Sequence, residues 1–313
     1  MILSKPNHIK IYGHRGARGD LPENTLESFK YLFENNINGY ETDILISKDL
    51  IPVITHDFRL DPSFTKDKEG NWIEDENIRI FDLTYEELLR FDVGSLNKLS
   101  RYGRRFINQK TLENQRIPKL SDLLNLSSKN ENQSLVINLE IKSTPDEENL
   151  TPPPEDMVKL IINEVNKSNL KDKIIISSFD WRTLTEIKNQ NPEISRAYLT
   201  YQQEMGIKIK KTIYNRSPWM SFLPFYDNFE LPKIIKKQGG KAWHPYYKDI
   251  NKKIVDISHQ EGLPVNVWTV NKEYDFLKMV EYGVDGIMTD YPLRLKEFCE
   301  KKKHKLVLVY FNI

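Results

Sequence analysis

Segments that read as strand and segments that read as helix alternate along this chain about eight times, a pattern that restricts the fold more than any single motif. Ile9–Gly13 reads as a short strand. Asn24–Asn35 follows as an amphipathic helix with Leu26, Phe29, Leu32 and Phe33 on one face. Strand patterns recur at Gly39–Ser47, Leu135–Ile141, Lys173–Ser178, Ser195–Thr200, Lys241–Trp243, Leu263–Thr269 and Gly286–Thr289. Helical patterns recur at Glu155–Asn169, Trp181–Gln190, Leu231–Gln238, Ile250–Gln260, Lys272–Glu281 and Leu293–Lys303, and Gly262 and Gly283 stand where helices commonly stop. Such alternation implies parallel strands with right-handed crossovers. At 313 residues, it predicts an α/β chain forming one (β/α)8 TIM barrel over residues 1–313. An open doubly wound sheet is the rival, but HRGARGD lacks the G-x-G-x-x-G spacing of a phosphate loop.

Three stretches break the rhythm. A β-rich run, Ile51–His56, follows the second strand closely. Phe58–Leu126 then separates the second and third strands, with a short helix pattern at Thr84–Arg90. A structureless loop of that length is improbable, so an inserted small subdomain is expected at about residues 58–126. Tyr201–Glu230 is rich in aromatics, and Asp146–Asp156, with Pro152, Pro153 and Pro154, reads as a solvated loop.

Lys+Arg number 46 against 45 Asp+Glu, so there is no global basic field and nucleic acid is not an expected partner. The lone cysteine, Cys299, offers neither an internal disulfide nor a zinc cluster and reads as a structural thiol. The start of the chain has no apolar run of signal-peptide length, and no stretch approaches the roughly 20 apolar residues of a membrane helix. A cytoplasmic location is the expectation, and the oligomeric state is not encoded in any visible pattern.

In a barrel the active site lies at the C-terminal ends of the strands. Strand one ends at His14-Arg15-Gly16. Strand two carries Glu41 and Asp43, whose spacing of two puts both carboxylates on one face. Strand three carries Glu140 and Lys142 at the same spacing, and the run Ile51–His56 ends in His56-Asp57. These charges interrupt apolar runs and require compensation. A divalent cation on Glu41, Asp43 and Glu140 would supply it, and an all-oxygen set favours hard cations such as Mg²⁺, Ca²⁺ or Mn²⁺ over zinc. Spacing alone leaves separate ion pairs with Arg15 and Lys142 equally open.

Of the six histidines, His14 and His56 fall at strand ends near the carboxylates. A pair of imidazoles can divide general-base and general-acid roles in cleaving a phosphodiester. Arg15 and Lys142 are the candidate phosphate contacts. His244 could line the site from the end of Lys241–Trp243. His8, His259 and His304 read as ordinary core or surface residues. Trp268 reads equally as core packing or as a pocket wall.

The stretches GHRGARGDLPENTLESF, GYETDILISKDLIPVITHD, LEIKS, ISSFD, LPVNVWTVN and GVDGIMTDYP together resemble the glycerophosphodiester phosphodiesterase family over roughly Ile9 to Glu297. The resemblance implies a (β/α)8 barrel with an insertion after strand two and hydrolysis of glycerophosphodiesters to an alcohol and sn-glycerol 3-phosphate. It implies His14 and His56 as the acid–base pair and Glu41, Asp43 and Glu140 as ligands of one Mg²⁺ or Ca²⁺. Arg15 and Lys142 would then meet the phosphate, and Trp268 would line the substrate pocket. One departure is Leu50 after Asp49, where the family usually has glycine. Tyr201–Glu230 and the apolar tail Lys305–Ile313 match no part of the pattern. The aromatic 201–230 segment motivates an alternative, a lysophospholipase D or sphingomyelinase-D-like enzyme with peripheral membrane contact. A barrel that only binds a ligand is the third reading, opposed by the complete set of charged residues.

Overall fold

The computed structural model describes residues 9–130, 134–203 and 211–310, with the side chains of the last helix described through residue 301. His8, the side chain of His304 and the last three residues of the tail lie outside the described residues. The strands are β1 (Lys10–His14), β2 (Gly39–Ile46), β3 (Pro52–Ile54), β4 (Val136–Ile141), β5 (Ile174–Ser178), β6 (Ser195–Thr200), β7 (Ala242–Pro245), β8 (Asn266–Val267) and β9 (Gly286–Thr289). All but β3 run parallel in the order β7-β6-β5-β4-β2-β1-β9-β8. Parallel bridges between Trp243 and Val265 and between Tyr246 and Trp268 join β7 to β8. The fold is therefore a nearly closed eight-stranded α/β barrel.

The Ile51–His56 run is not a barrel strand. β3 folds back antiparallel on β2, pairing Ile44 with Ile54 and Ile46 with Pro52. The turn between them includes Leu50 at φ 63°. That left-handed conformation is strained for a branched side chain and free for glycine, so the departure at Leu50 costs the turn and leaves the hairpin's path intact.

Helices α1 (Leu26–Glu34), α4 (Pro154–Lys167), α5 (Trp181–Gln190), α6 (Leu231–Lys237), α7 (Lys252–Gln260) and α8 (Glu273–Tyr282) separate the barrel strands and α9 (Pro292–Tyr310) follows the last of them, while α2 (Tyr85–Leu88) and α3 (Leu120–Ser128) lie between β3 and β4. Their ends follow local chemistry. Thr25, Asp180 and Asn251 cap α1, α5 and α7 with side-chain oxygens. Pro154 opens α4 where its missing N–H is no loss, which converts part of the expected loop into helix. Gly283 closes α8 at φ 80°.

Alternation along β2 turns Tyr40 and Ile44 outward; Tyr40 meets Phe29 of α1 at a ring distance of 5.0 Å. It turns Glu41 and Asp43 into the barrel. The stretch between β3 and α3 is stitched by bridges from Arg59 to Arg79 and from Lys66 to Trp72 and Asp92. Its buried Leu60, Ile73, Ile80, Leu88 and Val93 join the barrel's own hydrophobic core, and the expected boundary at Leu126 falls inside α3. Cys299 is half-buried against the same core.

Candidate active site

Register brings the strand-end carboxylates together. β1 aligns His14 with Glu41, and β2 aligns Glu41 with Asn138 and Asp43 with Glu140. Oxygens of Glu41, Asp43 and Glu140 consequently lie within 4.8 Å of one another, all three residues buried. Both compensation schemes read from the sequence are present. Lys142 Nζ donates to Glu140 at 2.6 Å and stands 3.8 Å from Asp43, and Arg15 Nε lies 3.2 Å from Asp43. Yet, among the described residues, Glu41 Oε1 and Asp43 Oδ1 are buried with no hydrogen-bond partner, Lys142 Nζ standing 3.8 Å from the latter. An acceptor left bare in a dry site is costly, and two facing one cluster fit a hard cation. Burial, then the charges of Asp43 and Glu140, push the Glu41 carboxyl well above its ordinary pKa. Burial would also raise Asp43, but Arg15, His56 and Lys142 hold it below the usual carboxylate range. Burial works against the Lys142 ammonium, and Glu140 and Asp43 keep its pKa raised nonetheless.

The cluster is held by strained backbone. Arg15 and Asn24, neither a glycine, sit at φ 52° and 55°. In that geometry the Arg15 N–H donates to Glu41 at 3.0 Å, and the Asn24 amide donates to Asp43 at 3.0 Å while accepting from Thr42. Strain of this kind persists where surrounding contacts determine it.

His14 is buried, with Nδ1 2.7 Å from Asp290 Oδ1 and Nε2 3.8 Å from Glu41. A carboxylate at Nδ1 favours the tautomer with the proton there, leaving the Nε2 lone pair toward the carboxylate cluster. Burial, then the Arg18 charge, lowers the His14 pKa to about 4. His56 follows β3, and the Thr55 N–H donates to the Asp43 carbonyl of β2 at 3.1 Å. Its Nδ1 is 2.8 Å from Asp57.

Comparison with known proteins decides the family. The model of the glycerophosphoryl diester phosphodiesterase family matches residues 14–294. The chain belongs to that family. It is an enzyme of the phosphoric diester hydrolase class. A structure of a putative glycerophosphoryl diester phosphodiesterase from Silicibacter pomeroyi superposes with a TM-score of 0.86 at 33% identity, covering 96% of this chain and 95% of that one. A glycerophosphodiester phosphodiesterase from Caldanaerobacter subterraneus is 28% identical over 93% of this chain and 98% of its own length. A lysophospholipase D from Homo sapiens is 23% identical over 92% of this chain and 85% of its own.

Around the phosphodiesterase's charged cluster stands an aromatic wall. Trp268 is half-exposed and meets Phe179 edge-on at 5.2 Å, Tyr246 at 5.3 Å and Tyr201 at 6.1 Å. Its indole N–H donates to the His244 carbonyl at 2.9 Å. Lys142 Nζ lies 5.8 Å above the Phe179 ring, so wall and cluster adjoin. His244 is fully buried inside the barrel, where its Nε2 is 3.0 Å from the Asn266 amide and burial lowers its pKa to about 3. His259 is bound to Asp285 instead, at 2.8 Å.

Several residues of this cluster were not read from the sequence. Asp290 receives His14, Arg18 and Asn271. Glu23 receives Arg15 at 2.8 Å and the Tyr102 hydroxyl. Asp290 directly follows β9, so the strand-end rule that found His14 and Lys142 also reaches it.

Proposed function

We propose that this phosphodiesterase hydrolyses glycerophosphodiesters with one divalent cation, Mg²⁺ or Ca²⁺, held by Glu41, Asp43 and Glu140. The observation that carries the reading is the pair of buried oxygens without a hydrogen bond, Glu41 Oε1 and Asp43 Oδ1, within the carboxylate triad. A bound cation would neutralise charge building on the phosphoryl oxygens and lower the pKa of the attacking oxygen. His14 and His56 act as the acid–base pair, one taking the nucleophile's proton and the other giving one to the departing alkoxide. Asp290 and Asp57 hold the two imidazoles at Nδ1 and so aim Nε2. Arg15 and Lys142, already beside the triad, draw the phosphoryl group in. Trp268 and Phe179 offer an apolar face to the carbon skeleton of the substrate. A complex of sn-glycerol 3-phosphate with a relative from Oleispira antarctica, described as the product there, supports that product here.

The test is release of sn-glycerol 3-phosphate from glycerophosphocholine with Mg²⁺, with Ca²⁺ and with chelator. His14→Ala and His56→Ala should each reduce turnover by at least about 10²-fold. Full turnover in either variant, or in chelator, overturns the assignment concerned. The aromatic wall beside the site supports a second reading, in which an acyl chain is accepted. A preference for lysophosphatidylcholine over glycerophosphocholine would select it.

A further inference from the structure

The stretch 98–110 of the inserted region contains Lys98, Arg101, Arg104, Arg105 and Lys110 and no acidic residue, in a chain whose charges balance to within one overall. All five cations are exposed. Two aliphatic side chains stand out among them, Leu99 at 87% exposed and Ile107 at 50%.

The segment's inner side is anchored beside the site. Phe106 is buried beneath the Arg18 guanidinium, 5.0 Å from ring centre to carbon. The Tyr102 hydroxyl donates to Glu23, and the Gln109 amide donates to the Arg18 carbonyl at 2.7 Å. Gly103 packs so tightly on Asn97 that a Cβ there would fall 1.9 Å from the Asn97 carbonyl oxygen. Leu99 and Ile107 are therefore exposed on a braced support, in a segment whose five cations are exposed as well.

We propose that this face docks the enzyme on an anionic membrane surface, with Leu99 and Ile107 entering the headgroup layer and the five cations pairing with lipid phosphates. Cations alone would suit any polyanion. Aliphatic tips flanked by cations are the pattern of an interfacial segment, since the tips gain nothing from a hydrophilic polyanion. Docking there sets the rim of the site against the source of lipid-derived phosphodiesters. The proposal is independent of the metal and histidine assignments, because binding is read without turnover.

The test is co-sedimentation of the full chain with vesicles of phosphatidylcholine alone and of phosphatidylcholine mixed equally with phosphatidylglycerol. Wild type should partition onto the mixed vesicles and lose them in high salt. Arg101→Gln/Arg104→Gln should weaken partition by roughly 25-fold. Leu99→Asp/Ile107→Asp should weaken it by at least about tenfold. Both variants should keep wild-type melting temperature and turnover of soluble glycerophosphocholine. Equal partition onto both vesicle types, or undiminished partition by both variants, overturns the proposal. So does competition by duplex DNA together with full binding by the Leu99→Asp/Ile107→Asp variant, which would mark a general polyanion site.

Discussion

Replacing Asp290 with asparagine tests how the site is braced. The Asp290 carboxylate is fully buried, and four donors converge on it. His14 Nδ1 and Arg18 Nε both meet Oδ1 at 2.7 Å, while Arg18 Nη2 at 3.1 Å and the Asn271 amide at 2.6 Å meet Oδ2. Asparagine offers one acceptor oxygen and an NH₂ group that faces donors, so two of the four lose their acceptor. Arg18, itself buried, keeps its charge without its partner. Burial by itself would raise the Asp290 pKa, but Arg18 holds the carboxyl far below the usual range. A depressed pKa contributes stability at every pH above it, and here the pair persists through the whole working range. Removing one partner of such a buried pair costs about 3–5 kcal/mol. At an unfolding entropy of about 2.1 cal/mol/K per residue, that is a fall in Tm of roughly 5–8 °C for a chain of this length. Asp290→Asn should show that fall by scanning calorimetry, and kcat should drop as His14 loses the partner that sets its tautomer. A shift below about 2 °C would refute the claim that Asp290 neutralises Arg18.

Metal and pH give two further tests. Mg²⁺ or Ca²⁺ at about 100 times its Kd should raise Tm by roughly 4 °C, equivalent to about 2.7 kcal/mol, and Glu41→Gln should abolish that rise; a variant that still responds would remove Glu41 from the ligand set. His259 has its pKa raised above 6.5, first by its hydrogen bond to Asp285. That contribution is complete below the unfolded value and fades as pH climbs through the folded one. The Tm gap between wild type and His259→Asn should therefore be widest at acid pH, below the ordinary imidazole range, and shrink as pH rises through the raised value; a gap that does not change with pH would contradict the pairing.

The barrel was readable because its signals are local. Apolar runs, and Gly262 and Gly283 after helices, each act within a few residues. The triad was readable for the same reason, since the spacing of Glu41 and Asp43 dictates a shared face. The path of Ile51–His56 was not. A short apolar run has the same periodicity whether it joins a barrel parallel or folds back, and pairing of Ile44 with Ile54 decides it. The support of the site was equally hidden. Arg18, Glu23 and Asn24 lie in one loop near the start of the chain, but what each touches, Asp290, Tyr102 and Asp43, comes from distant elements. Sequence spacing also posed metal and ion pairs as rivals, whereas Lys142 and Arg15 pair with the carboxylates and still leave two oxygens without a hydrogen bond.

The contact between His14 and Asp290 joins residues 276 positions apart. During synthesis the first barrel strand must wait for the last one, roughly 14–55 s at 5–20 residues per second. Over that interval His14 has no Asp290 to aim it, and Arg18 has no counter-charge. A ribosome-bound chain stalled before β9 should therefore be catalytically silent, however much of the barrel has already formed. Activity would be switched on by closure of the ring, so that appearance of turnover times the final folding event.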